Sequence, residues 1–100
     1  MIKKEEYDEV IAAVGSDPIV PNIPGITGKN VFYAPDVYGN DAVLGKLGKN
    51  IVIIGGGEVG VETGMYLAQK GHEVTVLEML NLLASTAVPL HFYTMFKAAW

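Results

Sequence analysis

Between residues 51 and 77 the apolar positions fall into three successive patterns. Ile51-Val52-Ile53-Ile54 is an unbroken, mostly β-branched run, the pattern of a buried strand. From about Glu58 to about Lys70 the spacing turns helical, with Gly60, Thr63, Gly64, Leu67 and Gly71 on one stripe. Glu73-Val74-Thr75-Val76-Leu77 then reads as a second strand and ends on Glu78. The stripe has almost no side chain over two turns. Glycine inside a helix costs about 1 kcal/mol relative to alanine, so two of them predict a helix packed closely on its strands. Gly71 is the predicted left-handed stop of that helix.

Outside this unit the pattern is weaker. Tyr7 to Gly15 reads as a short strand, residues 8–14, closing on a glycine turn. Pro18, Pro21 and Pro24 forbid a helix and remove ladder donors, so 16–25 is an irregular, extended connector. Its interleaved Ile19, Val20 and Ile23 predict that it lies along a surface. Val31-Phe32-Tyr33 is a brief strand candidate, and Pro35-Asp36-Val37-Tyr38 starts a single helical turn. Gly39, Gly45 and Gly48 argue against a longer helix there. Beyond Glu78, Met79 to Ala84 is apolar without a clear period. Ser85 or Thr86 then caps a last predicted helix, from about Ala87 to Trp100, with Leu90, Tyr93, Phe96 or Lys97, and Trp100 on one face.

One hundred residues allow one domain or part of one, fewer strands than a complete doubly wound sheet needs. The formal charge of −4 argues against a nucleic-acid or anionic-membrane surface. The seven basic residues are all lysines, spread along the chain. There is no cysteine, hence no disulfide, thiolate metal site or redox dithiol. No stretch approaches the roughly 20 apolar residues of a membrane span, and the first residues lack a signal-peptide core. A soluble, cytoplasmic protein is the expectation.

The chemistry concentrates where the first strand meets the helix. Gly55, Gly57 and Gly60 fit G-x-G-x-x-G in the strand–turn–helix context that gives the pattern weight. Gly55 suits the tight turn, with Gly56 beside it, and Gly57 lets the backbone approach a pyrophosphate. The N–H groups of Glu58, Val59 and Gly60 then lie at the positive end of the helix dipole, where a phosphate fits. Glu58 suits the dipole but repels a nearby diphosphate unless it turns to solvent. Glu78 stands 23 residues after Gly55 (78 less 55), close to the roughly 20 expected of a carboxylate on an adenosine ribose. Such a carboxylate repels a 2′-phosphate, and the chain has no arginine to accept one, which favours NAD over NADP. The rival reading is a tight turn with no ligand and a Glu78 that merely ends its strand in water.

Other polar residues carry less. Glu62 either faces the nicotinamide side of a cofactor or is a helix-surface carboxylate near Lys70. His72 and His91 lack metal-ligand spacing and read as surface residues. Asp36 and Asp41 have no acid–base partners nearby in sequence. Tyr93, Phe96 and Trp100 read as a core face rather than a flavin platform. No catalytic constellation can be assembled from these residues.

Two runs carry a family resemblance. "YDEVIAAVGSDPIVPNIPG" resembles the stretch of two-dinucleotide-binding flavoproteins that closes an FAD-domain segment before the NAD(P)H domain is inserted. "GKNIVIIGGGEVGVETGMYLAQKGHEVTVLEM" resembles the opening of that inserted domain. In style both are similar to the pyridine nucleotide-disulfide oxidoreductase-type NADH:flavin oxidoreductases of the 2-enoate and 2,4-dienoyl-CoA reductase group.

The resemblance implies that Gly55, Gly57 and Gly60 line the diphosphate, Glu62 the nicotinamide side and Glu78 the adenosine ribose. It implies that Gly15 borders FAD in the parent enzyme, although "AAVG" stands where "ATG" is commoner. It further implies an excised segment, with residues 1–45 the end of an FAD-domain segment and connector, and 46–100 the N-terminal part of the NAD(H)-binding domain.

The expected fold class is α/β, a Rossmann-like βαβ unit with a truncated parallel sheet, preceded by a short strand and the proline-rich segment. The expected function is to hold NADH for hydride transfer to FAD in support of alkene reduction, without turnover by the isolated chain. The partners expected are the cofactor, the parent enzyme's remaining domains and a second copy through exposed strand edges. Two alternatives stay open: a site for the ADP half of FAD, and a stand-alone nucleotide-sensing module.

Overall fold

The structure is a computed structural model, and it describes residues 7–85. Its centre is a βαβ unit. Strand β1 runs Asn50–Ile54, helix α2 Glu58–Gln69 and strand β2 Glu73–Leu77. A short helix, α1, precedes them at Asp41–Leu44, and a 3-10 turn at Ala34–Asp36 precedes that. The two strands pair in parallel, from Asn50 opposite Glu73 to Ile54 opposite Leu77. A parallel pair needs a crossover between its strands, and α2 is that crossover. The fold is the α/β Rossmann-like unit that the pattern predicts, with a two-stranded parallel sheet among the described residues.

The glycine stripe explains how the helix seats. A Cβ on Gly64 would stand 3.3 Å from Ile53 Cδ1 and 3.5 Å from both Val74 Cγ1 and Val76 Cγ2. A Cβ on Gly60 would run into the carbonyl oxygen of Gly55. The helix therefore lies against the strand backbones, and Val61, Thr63, Gly64 and Leu67 are buried beneath it. Gly71 takes a φ of +95°, and His72 N–H donates to Leu67 O, closing the C-terminus in the left-handed fashion that favours glycine.

The β1 pattern predicted burial, and the structure corrects this for one face. Both strands alternate exposed and half-buried residues. Ile51, Ile53, Val74 and Val76 face α2, whereas Val52 and Ile54 remain 60% and 62% exposed. Successive side chains point to opposite faces, and among the described residues only one face has a helix over it.

A second packing cluster ties the upstream turn to α2. Val37 is 4% exposed. The Tyr38 and Tyr66 rings lie 5.0 Å apart between centroids, and Lys70 Nζ stands 5.5 Å from the centre of the Tyr66 ring. Thr63 Oγ1 lies 2.7 Å from Val59 O and 3.2 Å from the Tyr38 hydroxyl. A hydroxyl carries one proton. With Thr63 donating to the Val59 carbonyl, the Tyr38 phenol donates to Thr63.

Upstream, three expectations need correction. Residues 8–14 form no strand, because a ladder needs a partner and no described segment pairs with them. Residues 31–33 form none either. The connector does not lie along a surface of the described chain, since Ile19 is 96% exposed and Val20 and Ile23 are exposed with it. The single turn at 35–38 appears as the 3-10 turn, and Asn40 caps α1 by accepting the Val43 N–H at 3.2 Å, which holds one helical turn between Gly39 and Gly45. The helix predicted from about Ala87 to Trp100, with His91, lies outside the described residues.

Candidate functional site

The site is the junction of β1, the glycine turn, the first turn of α2 and the end of β2. The parallel ladder continues one step past the strands, with Gly55 N–H donating to Leu77 O at 2.9 Å. Gly55 then reverses the chain at a φ of +104°, a conformation that costs an L side chain dearly. Gly57 caps the helix with an ordinary extended backbone, φ −68° and ψ −178°. The helical ladder opens with Val61 N–H donating to Gly57 O. The earlier N–H groups of α2 therefore have no acceptor within the helix.

The three glycines of the turn meet different surroundings. A Cβ on Gly55 or on Gly57 would meet nothing within 4 Å, so both border open space. Gly56 is buried, and a Cβ there would press on Leu83 and on Glu78, whose Cβ would lie 2.9 Å away. The turn has an open side at Gly55 and Gly57 and a closed side at Gly56.

Glu78 forms the closed side. Its Oε2 accepts the Gly56 N–H at 2.7 Å and its Oε1 accepts the Leu80 N–H at 2.9 Å. These bonds, with Leu80 the stronger influence and Gly56 next, hold the Glu78 carboxyl below its ordinary value of 4.5 against a smaller opposing effect of desolvation. The chain returns at Ala84, whose N–H donates to Gly56 O at 2.7 Å and whose φ is +48°.

The predicted site residues thus divide. Gly55, Gly56, Gly57, Glu58, Val59, Gly60 and Glu78 come together around the turn. Glu62 sits in α2 between buried Val61 and buried Thr63, and is half-buried itself. Gly15 lies on the exposed upstream segment at a φ of +78°. His72 binds a backbone carbonyl, with Nδ1 2.8 Å from Gly48 O. Among the described residues no group of three His, Cys, Asp or Glu side chains could hold a metal ion, and no helix is long and apolar enough to cross a membrane.

The pattern gave no notice of Leu83 and Ala84 at the turn. Their segment, Met79 to Ala84, carries no periodicity, and an alanine at positive φ leaves no trace in sequence. The only available signal was Gly56 itself, a glycine the fingerprint does not require.

An open, glycine-lined helix N-terminus with a carboxylate at the end of the next strand fits the diphosphate and ribose of a dinucleotide. Open space at Gly57 is the fitting observation, because it leaves the backbone free for close approach. This geometry defines the dinucleotide-binding class of βαβ units.

The chain belongs to the pyridine nucleotide-disulphide oxidoreductase family, whose family model matches residues 2–96. It is 42% identical over 92 residues to an NADH oxidase of Thermoanaerobacter brockii, covering 90% of this chain and 14% of that protein. It is 40% identical over 92 residues to a cinnamate reductase of Clostridium sporogenes, covering 89% of this chain and 13% of the relative. It is 38% identical over 84 residues to a bilirubin reductase of Mediterraneibacter gnavus, covering 84% and 13%. The chain therefore spans about a seventh of the length of these relatives. No solved structure matches it. A dinucleotide-binding segment of the flavin oxidoreductase type is the coarse identity that these findings support.

Proposed function

We propose that this chain is the NAD(H)-binding segment of a multidomain flavin-dependent oxidoreductase. It holds NADH so that hydride passes to FAD, in support of the reduction of an activated alkene. Residues 46–100 are read as the start of the NAD(H) domain and residues 1–45 as the end of an FAD-domain segment with its connector. The reading rests on one observation above others: open space at Gly57 beside the first turn of α2, with Glu78 at the end of the adjacent strand.

Within this reading each residue has a physical task. The open backbone at Gly55 and Gly57 admits the diphosphate to contact distance of the α2 N-terminus, whose dipole favours negative charge. Glu78, already anchored through two backbone N–H groups, presents its remaining lone pairs to ribose hydroxyls and repels a 2′-phosphate. With no arginine in the chain, NADH is preferred over NADPH. Glu62 lies toward the nicotinamide side, and Gly15 borders FAD in the parent enzyme. The nicotinamide supplies the hydride, and the protein supplies binding and orientation.

The alkene is proposed from the sequence style, in company with a relative named cinnamate reductase. The test is a parallel equilibrium titration of the chain with NADH, NADPH and FAD, following amide shifts at 55–62 and 78. NADH binding in preference to NADPH, with shifts at the glycines, supports the reading. Preferential FAD binding replaces it with a site for the ADP half of FAD. No shift with any nucleotide at millimolar concentration overturns it for this chain.

A further inference from the structure

We propose that Glu78 is a positioning residue for the phosphate turn, bracketing the Gly56 peptide so that the turn is formed before any nucleotide arrives. The functional half of this proposal rests on the NAD(H) reading above. The bracket itself stands on hydrogen bonds within the chain.

The peptide units on both sides of Gly56 are held. The Gly56 N–H goes to Glu78 Oε2 and its C=O accepts from Ala84 N–H, each at 2.7 Å. Glu78 is not free to swing away, because Oε1 is engaged by Leu80 N–H at 2.9 Å. Leu83 closes over Gly56 from the same side. Charge-assisted bonds from backbone N–H to carboxylate are about twice as strong as neutral ones, and a buried N–H without a partner is costly. Residues 78–84 therefore fix the two peptide planes that flank Gly56, Glu78 the one before it and Ala84 the one after, and through the second the orientation of Gly57 at the start of α2.

A carboxylate that only reads the ribose is exchangeable, and its removal trades one nucleotide for the other. A carboxylate that also shapes the turn is not exchangeable in that way. Replacing Glu78 here loosens the diphosphate cradle, so NADH and NADPH weaken together. Glutamine is the informative substitute, because it keeps the shape of glutamate but offers one acceptor oxygen where two N–H groups need one each.

The experiment is residue-resolved amide exchange on the full chain without nucleotide, for wild type, E78Q and E78A, followed by titration with NADH and NADPH. In wild type, Gly56 and Leu80 amides are expected to exchange at least tenfold more slowly than Gly57. E78Q is expected to lose protection at one of the two and E78A at both, while Ile53 and Thr75, whose N–H groups lie on the paired edges of the two strands, stay protected. Both variants are expected to weaken NADPH as well as NADH, NADH by tenfold or more.

An unprotected wild-type Gly56 amide overturns the bracket, and this holds even if a variant fails to fold. Unchanged Gly56 and Leu80 protection in E78A overturns it as well. Weaker NADH with tighter NADPH in E78A overturns the positioning role and leaves a ribose contact only. Protected Gly56 and Leu80 amides that respond to E78A, in a chain that binds neither nucleotide, uphold the bracket and overturn the NAD(H) reading alone.

Discussion

Gly64 lies directly over Ile53, so close that an added Cβ would stand 3.3 Å from Ile53 Cδ1. That contact is tight but ends on a movable methyl group. Four residues earlier, Gly60 meets the backbone carbonyl of Gly55, which cannot move without undoing the turn. The two substitutions should differ accordingly. Gly64→Ala gains about 1 kcal/mol of helix propensity against a small packing strain, and its melting temperature should stay within a few degrees of wild type. Gly60→Ala should cost more than about 2 kcal/mol, in the range of overpacking against a rigid neighbour. Thermal unfolding of the two variants side by side checks the order.

Gly57 offers a cleaner separation of binding from folding. Its backbone is extended and its surroundings are open, so Gly57→Ala should leave the melting temperature unchanged. The same methyl group occupies the approach of a diphosphate, and NADH affinity should fall by about tenfold or more, a cost of at least about 1.4 kcal/mol. Calorimetric titration together with a melt measures both. Gly55→Ala is the contrasting control, because a φ of +104° strains the free protein.

The acid limb of the turn's stability follows from Glu78. Its carboxyl is held below the ordinary value of 4.5 by the Leu80 and Gly56 N–H groups. A depressed folded-state value contributes stability that is fully present above the unfolded value and is lost as pH falls through the folded one. The Gly56 amide shift should therefore titrate with its midpoint below 4.5. A transition centred above 4.5 would contradict the hydrogen-bond geometry.

Tyr38→Phe removes the phenol that donates to Thr63 and keeps the ring against Tyr66. One hydrogen bond is worth about 1 kcal/mol net, and denaturant unfolding should register a loss of that order. Tyr38→Ala should lose clearly more, because the ring contact goes as well.

The ion pair between Lys49 and Glu73 is short, 2.8 Å, but both side chains are mostly exposed. Such pairs contribute about 0 to 1 kcal/mol and less in salt. Glu73→Gln should change stability by under about 0.5 kcal/mol, and 0.5 M salt should erase the difference.

The βαβ unit was legible because its signals are local and redundant. β-branched runs mark β1 and β2, glycines mark the helix face, and Gly71 marks its end. The turn residues 55–60 and Glu78 were legible for the same reason, since spacing alone brings them together in any parallel crossover. The bracket was not legible, because it depends on where Met79 to Ala84 returns, and that run has neither period nor turn signal. The missed contact of Tyr38 with Thr63 spans 25 residues and has no sequence signature. Residues 8–14 show the opposite error: a strand-like composition forms a strand only when another strand lies beside it.

The alternation along β1 and β2 has a consequence for alignment. In most half-buried sheets, sliding one strand by a residue exposes its apolar set and is penalised for that reason. Here Ile51 and Val52, or Ile53 and Ile54, are nearly interchangeable in polarity, and Thr75 is the lone polar side chain between Val74 and Leu77. Oil-and-water sorting cannot choose the pairing. The choice falls to the two termini of the ladder, where Glu73 N–H meets Lys49 O and Gly55 N–H meets Leu77 O. The glycine turn is thus the peg that sets the sheet's alignment, and a residue inserted there would shift the strands past each other before it touched any ligand.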